Sequence, residues 1–140
     1  MNFLLDTNVV SEWMKPRPDL RVMKWLASSD EDRLFVSVAT LAELRYGTER
    51  LPIGMRRAQL QEWLEMELSM RFEGRTLGID EAVAAAWGTL LARAEAAGRS
   101  MGVMDGFLAA TALVHQMTLV TRNQTDFTAT AVKMLNPWSG

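Results

Sequence analysis

Near the N-terminus the apolar positions change period. Phe3-Leu4-Leu5 is an unbroken apolar run that stops at Asp6-Thr7-Asn8, after which Val9, Val10, Trp13 and Met14 return at helical spacing. The pattern predicts a buried strand feeding a helix, and Pro16 and Pro18 end that helix. Asp19 is placed to cap a second helix carrying Leu20, Met23, Trp25 and Leu26. Leu34-Phe35-Val36-Ser37-Val38 reads as the second strand, and Thr40 to Tyr46 as a helix ending near Gly47. Between residues 55 and 70, Met55, Leu60, Trp63, Leu64, Leu68 and Met70 recur among Arg, Gln and Glu. That spacing predicts an amphipathic helix of about four turns.

Thr76-Leu77-Gly78-Ile79 is a short third strand, and Asp80 caps an alanine-rich helix that runs to Gly98. After the loop Arg99-Ser100-Met101-Gly102, residues Asp105 to Gln116 form another helix. Thr118 to Thr121 is a fourth strand, Arg122 to Asp126 a loop, and Val132 to Leu135 a last strand. Strands alternating with helices imply right-handed crossovers and a parallel sheet covered on both faces. The expected architecture is a three-layer α/β/α domain with a central parallel sheet of four to five strands, spanning residues 1–140 as one unit.

Composition narrows the function classes. The 140 residues are 49% apolar and 23% charged, which suits one globular domain with its own hydrophobic core. There is no cysteine, so disulfides, Cys-bearing zinc sites, iron–sulfur clusters and thiol catalysis are excluded. A net charge of −2 and a pI near 5.4 argue against a broad basic face for duplex binding, so any nucleic-acid contact is local. The start MNFLLD lacks the basic lead and long apolar stretch of a signal peptide, and no window suits a membrane span. A cytoplasmic location is expected.

Ligands of open parallel sheets collect at the carboxyl ends of the strands. Asp6 follows strand one, Glu43 lies in the first turns after strand two, Asp105 opens the helix before strand four, and Asp126 sits in the loop after it. Each also has a structural role open to it. Asp6 and Asp105 can cap helices, Thr40-x-x-Glu43 fits a capping box in which Glu43 accepts from the Thr40 N–H, and Asp126 suits an Asx turn. The combination says more than the parts. Glu43 and Asp105 are embedded in apolar sequence, where a charge is costly unless paired or metal-bound, and no lysine lies near any of the four. Clustered carboxylates repel one another, and a hard divalent cation such as Mg²⁺, or Mn²⁺ in its place, resolves this. Such ions bind a phosphodiester, generate a hydroxide nucleophile and stabilise the leaving oxygen, which predicts metal-dependent hydrolysis of a nucleic acid.

Four stretches carry a resemblance: Leu4-Leu-Asp6-Thr-Asn-Val9, Val38-Ala-Thr-Leu-Ala-Glu43-Leu-Arg-Tyr-Gly47, Asp105-Gly-Phe-Leu-Ala-Ala-Thr-Ala112, and Thr121-Arg-Asn-Gln-Thr-Asp126-Phe127. In this order, across nearly the whole chain, they resemble the PIN-domain ribonucleases, and among these the VapC or FitB-like toxins of bacterial toxin–antitoxin pairs. The resemblance implies that Asp6, Glu43, Asp105 and Asp126 are a catalytic, metal-binding quartet. It adds the Thr121 hydroxyl to that site, with Asn8 and Asn123 as neighbouring polar groups. It implies a Mg²⁺- or Mn²⁺-dependent endoribonuclease acting on structured RNA, commonly tRNA or ribosomal RNA. It further implies a homodimer and a VapB-like antitoxin whose C-terminal segment lies in a groove between early helices, with DNA reached only through that antitoxin. Gly106 departs from the pattern, because a larger helix former is common there and glycine loosens the turn that aims Asp105.

Other features fall mostly to structure. His115, the one histidine, reads as a helix end rather than a triad member. Gly98, Gly102 and Gly106 are spaced by four, which reads as turn formation or close packing. Arg45 lies on a different helical face from Glu43 and need not neutralise it. Arg122, between Thr121 and Asn123, is placed to hold an RNA phosphate. Trp13, Trp25 and Trp63 lie on three early helices and read as core, with part of that surface open to an interface. Two rival readings remain: a receiver-type phospho-acceptor regulator, and a PIN-fold scaffold that binds RNA or protein without turnover.

Overall fold

The computed structural model describes residues 1–139. Its elements follow in the order β1 (Phe3–Leu5), α1 (Thr7–Val10), α2 (Leu20–Ser28), β2 (Leu34–Ser37) and α3 (Val38–Glu49). Then come α4 (Met55–Glu62), α5 (Ser69–Arg71), β3 (Thr76–Leu77), α6 (Glu81–Ala96), α7 (Val103–Val114), β4 (Thr118–Val120) and β5 (Met134–Leu135). A 3₁₀ turn extends α1 to Met14, and a π-helical stretch, Trp63–Leu68, joins α4 to α5 as one long helix. The strands form a parallel sheet in the order β3-β2-β1-β4-β5. The chain therefore builds outward from β1 in one direction and then, through α6 and α7, restarts on its other side. The crevice between the carboxyl ends of β1 and β4 is the topological switch point. A receiver-type domain has the order 2-1-3-4-5, so this topology excludes that rival.

Alternation along the strands divides the core. Leu5, Leu34, Val36 and Val120 face one layer with Val9, Val10, Val22, Leu64 and Phe72, while Leu4 and Leu119 face the other with Leu108, Ala109 and Ala112. Trp13, Trp25 and Trp63 are half-buried against the first of these layers, as core packing requires. No helix among the described residues is long and apolar enough to cross a membrane.

Element ends differ from the sequence reading at several points. Val38 starts α3 rather than ending β2, because Ser37 caps that helix, its hydroxyl accepting from the Ala39 N–H at 3.0 Å. The capping box expected at Thr40 and Glu43 is therefore absent, and Glu43 is released for a tertiary contact. Helix α7 begins at Val103 with Gly102 at its N-cap, which makes no side-chain cap, so Asp105 lies inside the first turn instead of capping it. Asp126 sits in a 3₁₀ turn, Gln124–Phe127, in place of an Asx turn.

Gly106 is a packing glycine. A Cβ there would stand 2.4 Å from Leu91 Cδ1 and 3.0 Å from the Trp87 ring, at the contact between α7 and α6. The same contact stacks Trp87 on Phe107, ring centroids 5.1 Å apart, and bonds the Trp87 Nε1–H to the Val103 carbonyl at 3.1 Å. Glycine therefore tightens the seat of Asp105 instead of loosening it. Gly106→Ala is expected to lower stability in denaturant melts, because overpacking costs about 1–3 kcal/mol against a gain of about 1 kcal/mol in helix propensity. A higher unfolding midpoint would mean that Leu91 simply turns aside.

Candidate active site

At the switch point the two central strands deliver Asp6 and Thr121 side by side. The Asp6 N–H bonds the Val120 carbonyl at 2.9 Å, and the Thr121 N–H bonds the Leu135 carbonyl at 3.0 Å, so each residue continues its strand by one position. The Thr121 hydroxyl, fully buried, donates to Asp6 Oδ2 at 2.7 Å and accepts from the Asn123 N–H at 3.1 Å. Asp6 also caps α1, its Oδ1 accepting from the Thr7 N–H at 2.6 Å. Asn8 completes the frame with longer bonds of 3.4 Å, donating to Asp6 Oδ2 and accepting from the Arg122 N–H.

Thr7, which the sequence reading did not single out, joins two acids. Its hydroxyl donates to Glu43 Oε1 at 2.6 Å, while its N–H holds Asp6. The available signal was a hydroxyl directly after a strand-end carboxylate. Thr40, fully buried on α3, lies 3.4 Å from the Thr7 hydroxyl. Asp105 and Asp126 differ from this fixed pair, since neither carboxylate accepts a hydrogen bond among the described residues. Both line a cleft of about 220 Å³ between the α6–α7 loop and the β4–β5 loop, together with Ser100 and Thr125.

Electrostatics tie the four acids together. Burial pushes the Asp105 carboxyl up to about 6, and the charges of Asp6, Asp126 and Glu43 push it in the same direction. Burial likewise raises Asp6, against the hydrogen bonds from Thr121 and Thr7 that hold it down, and Glu43 and Asp126 add to the rise. None of the four takes part in an ion pair among the described residues, and Arg45 is engaged elsewhere, with Glu49 at 3.3 Å and Glu65 at 3.0 Å. No three acids or histidines among the described residues stand close enough together to form a ready-made metal cage.

The remaining candidates take simpler places. Arg122 is exposed, with its guanidinium 5.5 Å from the Trp138 ring centroid. His115 is the exposed C-cap of α7. Glu12 is a buried acid outside the cluster; it accepts the Asp19 N–H at 2.7 Å and pairs with Lys15, tying the turn after α1 to the start of α2.

A doubly wound α/β domain whose acidic residues gather at the switch point is the class defined by this fold and site. The chain belongs to the PIN domain family, which it matches over residues 3–133. It is 41% identical over 135 residues to toxin FitB of Neisseria gonorrhoeae, covering 96% of this chain and 97% of that protein. It is 38% identical over 135 residues to VapC ribonuclease Y4jK of Sinorhizobium fredii, covering 96% of each. The solved structure of FitAB bound to an IR36 DNA fragment superposes with a TM-score of 0.91 at 40% identity, over 97% of this chain and 95% of that one.

Proposed function

We propose that this chain is a metal-dependent endoribonuclease, the toxin of a toxin–antitoxin pair, with Asp6, Glu43, Asp105 and Asp126 as its metal-binding and catalytic carboxylates. The observation that carries the reading is Asp105. It is half-buried, it is raised to about 6 by burial and by the three other acids, and none of the four is in an ion pair among the described residues. Such a set of oxygen donors fits a hard divalent cation, Mg²⁺ or Mn²⁺, better than any softer metal. When bound, the cation supplies neutralisation of the scissile phosphodiester and a water acidic enough to serve as nucleophile at neutral pH.

The chain's own residues do the rest. Thr121 and Thr7 hold the Asp6 carboxylate in one orientation, and Thr7 holds Glu43. The Asp105 and Asp126 carboxylates, which accept no hydrogen bond among the described residues, adjust to the incoming group, and one acid of the four orients the attacking water. Asn8 and Asn123 brace Asp6 and Thr121. Arg122, ordered over Trp138, contacts a substrate phosphate. Structured RNA, tRNA or ribosomal RNA, is the proposed substrate, in keeping with the ribonuclease name of the relative from Sinorhizobium fredii.

The same reading includes a homodimer and a VapB-like antitoxin, through which alone the toxin reaches DNA, in keeping with the solved FitAB–DNA assembly. A groove of about 320 Å³ lined by Met14, Pro16, Leu44, Leu51 and Leu60 has Glu43 on its wall, which suits an antitoxin segment that shields the site. Ile53 and Met55, strongly exposed, adjoin its rim in sequence.

The test is cleavage of a bulk tRNA pool by purified protein with Mg²⁺ or Mn²⁺, with EDTA, and by two variants. Discrete fragments are expected that require metal and vanish in Asp6→Asn. Asp80→Asn is expected to cleave and melt like the wild type, because Asp80 only caps α6 through the Val83 N–H at 2.9 Å and Asn caps nearly as well. Metal binding without cleavage of any RNA would favour the scaffold reading, and equal losses in the two variants would mean that the quartet is wrongly assigned.

A further inference from the structure

The cleft lined by Asp105 and Asp126 has one basic residue on its wall, Arg99, which has no part in the chemistry above. Building on the ribonuclease reading, we propose that Arg99 is a substrate-positioning residue that binds an RNA backbone phosphate next to the one being cleaved. Arg99 lines the same cleft as the two carboxylates, yet it pairs with neither, and its charge is not among the influences acting on Asp105. An arginine of this cleft wall with no ion pair among the described residues has its donors available, and a phosphate oxygen pair matches the planar fork of a guanidinium.

Backbone hydrogen bonds fix the chain where it carries Arg99. Gly98, at φ +73°, ends α6 in a Schellman turn, with the Gly98 N–H on the Glu95 carbonyl at 3.0 Å and the Arg99 N–H on the Ala94 carbonyl at 2.8 Å. Two residues later Met101 packs against the second core layer. Arg99 and Ser100 are thus held between two anchors, at the mouth of the cleft opposite the β4–β5 loop.

Size and charge select the ligand. At about 220 Å³ the cleft has room for a phosphate group. Ser100 and Thr125 add neutral hydroxyls to its wall. The acidic cluster repels an RNA backbone, and a chain of net charge −2 has no broad basic field to offset that repulsion. A local cation beside the cluster meets this need, and since it reads backbone and not bases, it acts alike on all sequences.

The experiment compares wild type, Arg99→Ala and Arg99→Lys on a bulk tRNA pool. Binding is measured in EDTA at a series of salt concentrations, and cleavage is measured with Mg²⁺. Arg99→Ala is expected to weaken binding and raise KM by about tenfold, with kcat within about twofold and the salt slope shallower by about 0.7, the value for one single-strand phosphate contact. Arg99→Lys restores the slope and most of the affinity, because it keeps the charge. Unchanged affinity and slope in a folded Arg99→Ala protein would overturn the proposal. So would a loss that Arg99→Lys leaves unrepaired, because loop packing and not charge would then be at work. If wild type neither binds nor cleaves the pool, the ribonuclease reading falls and takes the phosphate site with it, a result distinct from a cleaving wild type indifferent to Arg99.

Discussion

Asp105→Asn is expected to remove RNA cleavage and, in EDTA near neutral pH, to melt at a higher temperature than the wild type. The first effect follows from losing one charged ligand of the proposed metal site; a deficit of about 3 kcal/mol in transition-state stabilisation is a rate loss of about a hundredfold or more. The second follows from the raised carboxyl. Its pKa is 3.8 in an unfolded chain and about 6 in the fold, so between these values the folded state binds the extra proton. The stability that this proton confers is present below about pH 4, falls as pH rises through the window to about 6, and is missing above it. Asparagine carries no charge and escapes the loss. For a half-buried group screened by solvent, the gain is about 1 kcal/mol, or about 3 °C in Tm for a domain of this size.

Added Mg²⁺ reverses the order, since a ligand that binds only the folded wild type stabilises it by mass action. Thermal melts of both proteins in EDTA and in Mg²⁺, across that pH range, check all three statements. An Asp105→Asn protein that melts below wild type in EDTA would show that the carboxylate serves the fold and not a ligand.

Thr7→Val is expected to lower the cleavage rate by about 10- to 100-fold with the fold intact, the usual cost of removing a group that orients a metal ligand. Valine keeps the shape of threonine and the N–H that holds Asp6. It removes only the hydroxyl that fixes Glu43 at 2.6 Å, leaving a half-buried carboxylate without its partner. Thr7→Ser keeps the hydroxyl and is expected to stay within a few fold of wild type. Single-turnover cleavage at rising Mg²⁺ concentration separates the effects, with Thr7→Val needing more metal for half-maximal rate. A fully active Thr7→Val protein would show that Glu43 is positioned by some other contact.

The two variants also separate what the amino-acid order makes legible from what it conceals. Asp105 stands out in the sequence because a charge inside Val-Met-Asp-Gly-Phe-Leu demands an explanation. Thr7 does not stand out, because a threonine after a strand-end aspartate is an unremarked helix start until Glu43, 36 positions on, is brought against it. Gly106 misleads in the same way. Read locally it loosens a helical turn, but Leu91 and Trp87 across the α6 contact make it the residue that lets the helices close.

Hydrophobic period, proline and glycine breaks and capping residues act over a few positions, and they were enough to determine the strand–helix alternation and the places where acids follow strands. They misplaced Val38 and missed that Ser37, the last residue of β2, caps α3, because the strand enters the helix with no loop between them and the change of period has no room to appear. The strand order β3-β2-β1-β4-β5 and everything that depends on it belong to the tertiary structure alone. It sets Thr121 against Asp6 across 115 positions, Thr7 against Glu43, and Arg45 among the glutamates of its own surface and away from the cluster. The physical reason is range: propensity and period are decided by neighbours in the chain, whereas the partner of a carboxylate is decided by how crossovers stack the strands, which no local window contains.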